Sequence, residues 1–131
     1  MGRNLKDANF IATTALPAAG ASNNSNVFNL GAGTFLPEEI ELQVSIPATP
    51  SLADTKNLTL TIEDSADNAS FSAITGLATI VVTGAGGAGA AAKTETIRLP
   101  STTRQYLRLN QAVDAAGGDS TAVSTTFQLL F

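Results

Sequence analysis

Apolar and polar residues alternate with period two along several stretches of this chain, the signature of strands with one buried face. Residues 39–46, EIELQVSI, set Ile40, Leu42, Val44 and Ile46 on one side and Glu39, Glu41, Gln43 and Ser45 on the other. Pro47 and Pro50 stop this strand, because proline has no N–H to give a ladder. Residues 57–63, NLTLTIE, repeat the pattern with Leu58, Leu60 and Ile62 inward. The segment 64–70, DSADNAS, is turn chemistry. Short strands follow at 71–74 and 77–83, the second with the β-branched run Thr79-Ile80-Val81-Val82 that suits a pleated surface. Residues 94–99 alternate with Ile97 and Leu99 inward, and 105–113 with Leu107, Leu109 and Val113 inward against Tyr106, Arg108 and Asn110 outward. The last strand, 121–131, turns Phe127, Leu129 and Phe131 inward. Upstream, 10–14 and 26–30 are weaker strand candidates, separated by a flexible stretch at 17–25.

About eight strands with Gly, Pro and Asn turns, and no convincing helix, predict an all-β fold: an antiparallel β-sandwich or jelly roll. The 131 residues are the size of one domain. We divide them into an N-terminal arm with a first short strand, 1–25, and a single sandwich, 26–131.

Composition narrows the chemistry. Only 14% of residues are charged, against roughly 25% in an average soluble domain, and Thr, Ser, Asn and Gly fill the polar positions. Such a surface suits burial against other protein. The net charge of −4 argues against nucleic acid as a partner. With no histidine and no cysteine, the usual nitrogen and sulfur ligands of zinc are missing, as are the bases of Ser-His-Asp and Cys-His catalysis. The chain is expected to be no enzyme and to need no cofactor or metal. Residues 1–10, MGRNLKDANF, lack an apolar signal core, and the myristoylation pattern fails because Lys6 stands where Ser or Thr is needed. The most apolar stretch, 76–82, is too short to span a bilayer. The expectation is a protein made in the cytoplasm, with no membrane partner.

Several motifs have a simpler reading than the chemistry they suggest. Gly84-Ala85-Gly86-Gly87-Ala88-Gly89 spells a dinucleotide-binding G-x-G-x-x-G, yet too few residues separate it from the next strand for a crossover helix, and no acidic residue follows at the required distance. It is read as a flexible loop. Asp64, Asp67 and Asn68 carry oxygens for Ca²⁺ but lack the spacing of an EF-hand loop. Glu39 and Glu41, about 7 Å apart on one strand face, have no aromatic neighbour to stack a sugar. Arg104, Tyr106 and Arg108 are of the residue types enriched at interface hot spots, and alternation would put them on one strand face. With the N-terminal Arg3, Asn4, Lys6 and Phe10, they are the candidate protein-contact residues.

The second half of the chain carries a resemblance. DSADNASFSAI at 64–74, IRLPSTTRQYLRLN at 97–110 and GGDSTAVSTTFQLLF at 117–131 resemble the cement, or decoration, proteins that stabilise capsids of tailed bacteriophages, the family of the Bordetella phage cement protein. The resemblance implies a jelly-roll-like sandwich on the outer surface of the virion. It would bind the major capsid protein, bridge neighbouring subunits and associate with itself as a dimer or trimer. The alternative is a carbohydrate- or receptor-binding sandwich of a tail or fibre protein.

Overall fold

A computed structural model describes residues 6–31 and 39–130, with the backbone alone for 6–9. The described residues form ten strands: β1 (Lys6–Ala15), β2 (Ser22–Asn24), β3 (Phe28–Asn29), β4 (Glu41–Ile46), β5 (Asn57–Ser65), β6 (Ser72–Ala73), β7 (Ile80–Thr83), β8 (Lys93–Arg98), β9 (Tyr106–Val113) and β10 (Ser124–Leu130). One sheet runs β1-β10-β4-β8. The other runs β2-β9-β5-β6, with β3 continuing β2 along β9 and β7 continuing β6 along β5. All strand pairings are antiparallel.

The pairings reveal a long hairpin wrapped into a barrel-like sandwich. From the tip outward, β5 pairs with β6 and β7, β4 with β8, β2 and β3 with β9, and β1 with β10. Wrapping then lays β10 beside β4 and β9 beside β5. This is the jelly roll, whose successive strands cross between two sheets. Counting β2 with β3 and β6 with β7 as interrupted single strands gives the eight expected from the sequence.

Alternation explains the layers. β4 buries Leu42, Val44 and Ile46, β5 buries Leu58, Leu60 and Ile62, and β9 buries Leu107, Leu109 and Val113, all between the sheets. Phe28 stacks on Phe127 with ring centroids 4.9 Å apart, and Phe10 meets Phe28 edge-on at 5.8 Å. These aromatic contacts join β1, β3 and β10. Phe131 lies outside the described residues.

The strand expected at 10–14 lies within β1, which begins at Lys6, so the segment read as an arm joins the sheet from that residue on, with Ala12 and Leu16 in the core. Arg3 and Asn4 lie outside the described residues. The stretch 17–25, expected to be flexible, contains β2. Just beyond β2, Ser25 stands in for a ladder residue: its N–H donates to the Leu109 carbonyl, and the Leu109 N–H donates to its Oγ at 2.9 Å. A side-chain oxygen taking a carbonyl's place has no hydropathy signal, so periodicity missed it.

Candidate functional site

At the open edge of the second sheet, the 64–72 turn and the 100–104 turn enclose an open pocket of about 390 Å³, lined by Asp64, Ser72, Ala73, Ile74, Thr75, Thr102 and Arg104. Asp64 has the same strand parity as Leu58, Leu60 and Ile62, so its carboxylate ends an otherwise apolar inward row and is only 4% exposed. A buried carboxylate must be paired. Arg104 does this three ways: its backbone N–H donates to Oδ2 at 2.9 Å, Nε donates to Oδ1 at 2.9 Å, and Nη2 donates to Oδ1 at 2.6 Å. Nη2 also donates to the Asp64 carbonyl and to Ser72 Oγ. Nη1 has no hydrogen-bond partner among the described residues, and the Arg104 side chain keeps 41% of its surface in solvent.

Arg104 therefore does not share a strand face with Tyr106 and Arg108. It precedes β9 and turns back over the end of β5. Tyr106 and Arg108 do lie together on the outer face, as alternation predicts. Arg108 Nε donates to Glu63 Oε1 at 2.8 Å from the directly opposite position on β5, and its guanidinium lies 4.0 Å from the centre of the Phe71 ring. Tyr106 stands between Asn29 of β3 and Ser65 of β5. The pairing registers extend this face through Asn24, Asn110 and Thr61, and then through Ser22, Ala112, Thr59 and Val81. Amides, hydroxyls and small apolar groups surround one internally neutralised ion pair. Phe10, by contrast, packs against the core, and Lys6 lies at the start of β1 opposite Leu130.

The turn between the two features is self-contained. Asp67 Oδ1 accepts the N–H groups of Ala69 and Ser70 and the Ser65 hydroxyl. The bonds from Ser70 and Ala69, with the Ser65 hydroxyl, lower its pKa to about 2. Asn68 adopts the left-handed conformation, with φ of 59°. With Asp64 committed to Arg104 and Asp67 to its own turn, the carboxylates weighed as Ca²⁺ ligands are occupied, and no cluster of metal-ligating residues is present among the described residues. Glu41 pairs with Arg98 across the β4–β8 ladder at 3.2 Å.

The glycine run is a clasp rather than a flexible loop. Thr49 and Ala90 exchange backbone hydrogen bonds, Gly84 bonds with Thr55 and Lys56, and the Gly87 N–H donates to Asp54 Oδ1 at 2.8 Å. A side chain of this protein thus occupies the amide that a phosphate would have sought. A Cβ on Gly89 would come within 1.9 Å of the Thr49 carbonyl oxygen, and one on Gly84 within 2.3 Å of that of Ala53. The glycines are there so that two backbones can touch. The sequence pattern held no indication of this partner, because the 49–54 segment it packs on is not periodic.

A crystal structure of PirA is similar in fold, with a TM-score of 0.53 over 94% of this chain and 95% of that one, at 10% sequence identity. The likeness supports the sandwich architecture. No family model and no curated protein matches the chain.

Proposed function

We propose that this chain is a structural virion protein that binds the outside of a major capsid protein shell, bridges neighbouring subunits and performs no catalysis. The observation that carries the reading is the outer face of β9 and β5. Tyr106 and Arg108 sit there side by side, and Glu63 and Phe71 already hold the arginine in place. Interface cores favour Tyr and Arg and are depleted in other charges. An arginine ordered before contact loses less side-chain entropy on binding. The resemblance of residues 40–131 to cement proteins points the same way. Stabilisation follows from mass action: a protein that binds only the assembled shell favours the shell. Many contacts of about 800 Å² per partner would suffice without one dominant contact.

The test is the copy number of the chain in purified virions. Stoichiometric copies are expected, and Tyr106→Ala or Arg108→Ala should lower occupancy about tenfold, as hot-spot truncations of 1–2 kcal/mol do. Virions without stoichiometric copies would end the proposal.

The Arg104 pocket favours a second reading, a saccharide-binding module. Arg104 Nη1, which has no hydrogen-bond partner among the described residues, and the hydroxyls of Ser72, Thr75 and Thr102 offer donors and acceptors to a sugar. Glycan-array binding abolished by Arg104→Met, with no incorporation into virions, would select it instead.

A further inference from the structure

A guanidinium has more N–H groups than one carboxylate can use. Those on Nε and Nη2 of Arg104 are taken by Asp64 and Ser72. The Nη1 group has no partner among the described residues and looks into the pocket that Arg104 helps to line. Ser72 Oγ accepts from Nη2 and keeps its own proton to donate. Thr75 and Thr102, both exposed, add two hydroxyls, and Ala73 and Ile74 give an apolar margin. A volume of about 390 Å³ falls within the roughly 300–1,000 Å³ of small-molecule sites. Asp64 and Ser72 already hold the arginine, so a ligand would not have to order it.

The charge around these donors decides what they can receive. The pocket is lined by one cation, Arg104, and one anion, Asp64, whose Oδ1 lies 2.6 Å from Nη2. Asp67 stands nearby in the turn. Hydrogen bonds to Asp64 hold the Arg104 pKa above its ordinary value, against desolvation, and the charges of Asp64 and Asp67 add to this. An anion on Nη1 would meet the guanidinium and both carboxylates together. Attraction and repulsion over similar distances offset one another, while the anion still gives up its hydration. A neutral oxygen loses less water-binding energy and accepts the same N–H.

We infer that the Arg104 pocket takes a neutral, hydroxyl-rich ring, an uncharged sugar, and discriminates against acidic sugars because Asp64 cancels the charge of its arginine. The inference rests on the saccharide reading of this pocket and extends it from a class of ligand to its charge. It does not depend on shell binding, which uses the outer face of Tyr106 and Arg108. The Nη1 N–H groups donate to ring hydroxyl oxygens, and the hydroxyls of Ser72, Thr75 and Thr102 complete the set. No aromatic side chain lines the pocket, so affinity rests on hydrogen bonds made in competition with water. A single sugar should bind with Kd on the order of 1–10 mM.

The test is an NMR titration of the purified full chain at constant ionic strength. The probes are the methyl glycosides of glucose, mannose and galactose, set against glucuronate and N-acetylneuraminate. At least one neutral glycoside should shift the amides of 72–75 and 102–104, and both acidic sugars should bind about tenfold more weakly or worse. Thr102→Ala should weaken the neutral sugar about threefold. Asp64→Asn removes the cancelling charge, and should move the ratio of acidic to neutral affinity about tenfold toward the acid. Loss of stability alone would not change that ratio. Circular dichroism confirms the fold. Should Asp64→Asn fail to fold, Asp67→Asn, which keeps the turn's acceptor oxygen, should move the ratio the same way by about threefold. Acidic sugars that bind the wild type as tightly as neutral ones, or a ratio unmoved in the folded variant, overturn the inference and leave the saccharide reading standing. No shift with any sugar up to about 100 mM ends both. Neither result bears on shell binding, which virion copy number decides.

Discussion

Asp64 shows how a single buried residue constrains its neighbours. Taking a carboxylate out of water is costly unless hydrogen bonds replace the lost hydration. Here Arg104 supplies both its guanidinium and its backbone N–H. Arg104→Met removes the guanidinium and leaves Oδ1 without its charged donors, which should destabilise the fold, but by less than loss of one member of a fully buried pair because the arginine is half in solvent. Asp64→Asn should cost a similar amount. The double variant should be clearly more stable than the sum of the two losses predicts, since the interaction is lost once and not twice. Urea denaturation of the four proteins measures this. Strict additivity would show that the pair contributes nothing beyond its separate members. The pair also explains why alternation misplaced Arg104. Period two assumes that the strand continues, whereas the chain at 103–104 is already bending toward a charge on β5.

At the scale of elements, legibility followed burial. β4, β5 and β9 have one wet and one dry face, so Leu42, Leu58 and Leu107 could be placed from pattern alone. β2 could not, because three residues carry no period and its position comes from pairing with β9, whereas β6 falls within the short strand expected at 71–74. The candidate site was half legible: Tyr106 and Arg108 were placed by parity, but Glu63, Phe71 and Asp64 entered only through cross-strand register. The glycine clasp was illegible, since its meaning lies in the backbone it touches. It makes a sharp prediction. Gly89→Ala must move the Thr49–Pro50 backbone and also hold alanine at φ of 71°, and should cost about 3 kcal/mol or more. Gly86→Ala, also at positive φ but with nothing within 4 Å, should cost only about 1 kcal/mol. Denaturant midpoints compare them, and equal losses would show that close approach is not what the glycine provides.

At the scale of the whole molecule, the question is what holds two sheets of similar apolar side chains in one alignment. Leucine against leucine rewards contact but is nearly indifferent to sliding. Gln111 is not. It lies on the inward face of β9 and is fully buried. Its Nε2 donates to the Ala15 carbonyl at the end of β1, and its Oε1 accepts the Thr125 hydroxyl of β10 at 2.6 Å. One side chain of the second sheet thus engages two strands of the first. The Ala15 carbonyl also receives Asn23, so the tie gathers β2, β9, β1 and β10 at one corner. Low dielectric makes these bonds strong when made and costly when half made. Gln111→Leu should destabilise by about 1–3 kcal/mol by stranding the Thr125 hydroxyl, and Thr125→Val by a similar amount. Together they should cost less than the sum. A purely local role would lower protection from amide hydrogen exchange evenly. A role in alignment predicts that Gln111→Leu exposes the amides of Ala12 and Thr14 to exchange well before those of β5, because β1 is an edge strand held by β10 on one side and by this corner at its end. Equal loss of protection in β1 and β5 would reduce Gln111 to one buried polar group among others.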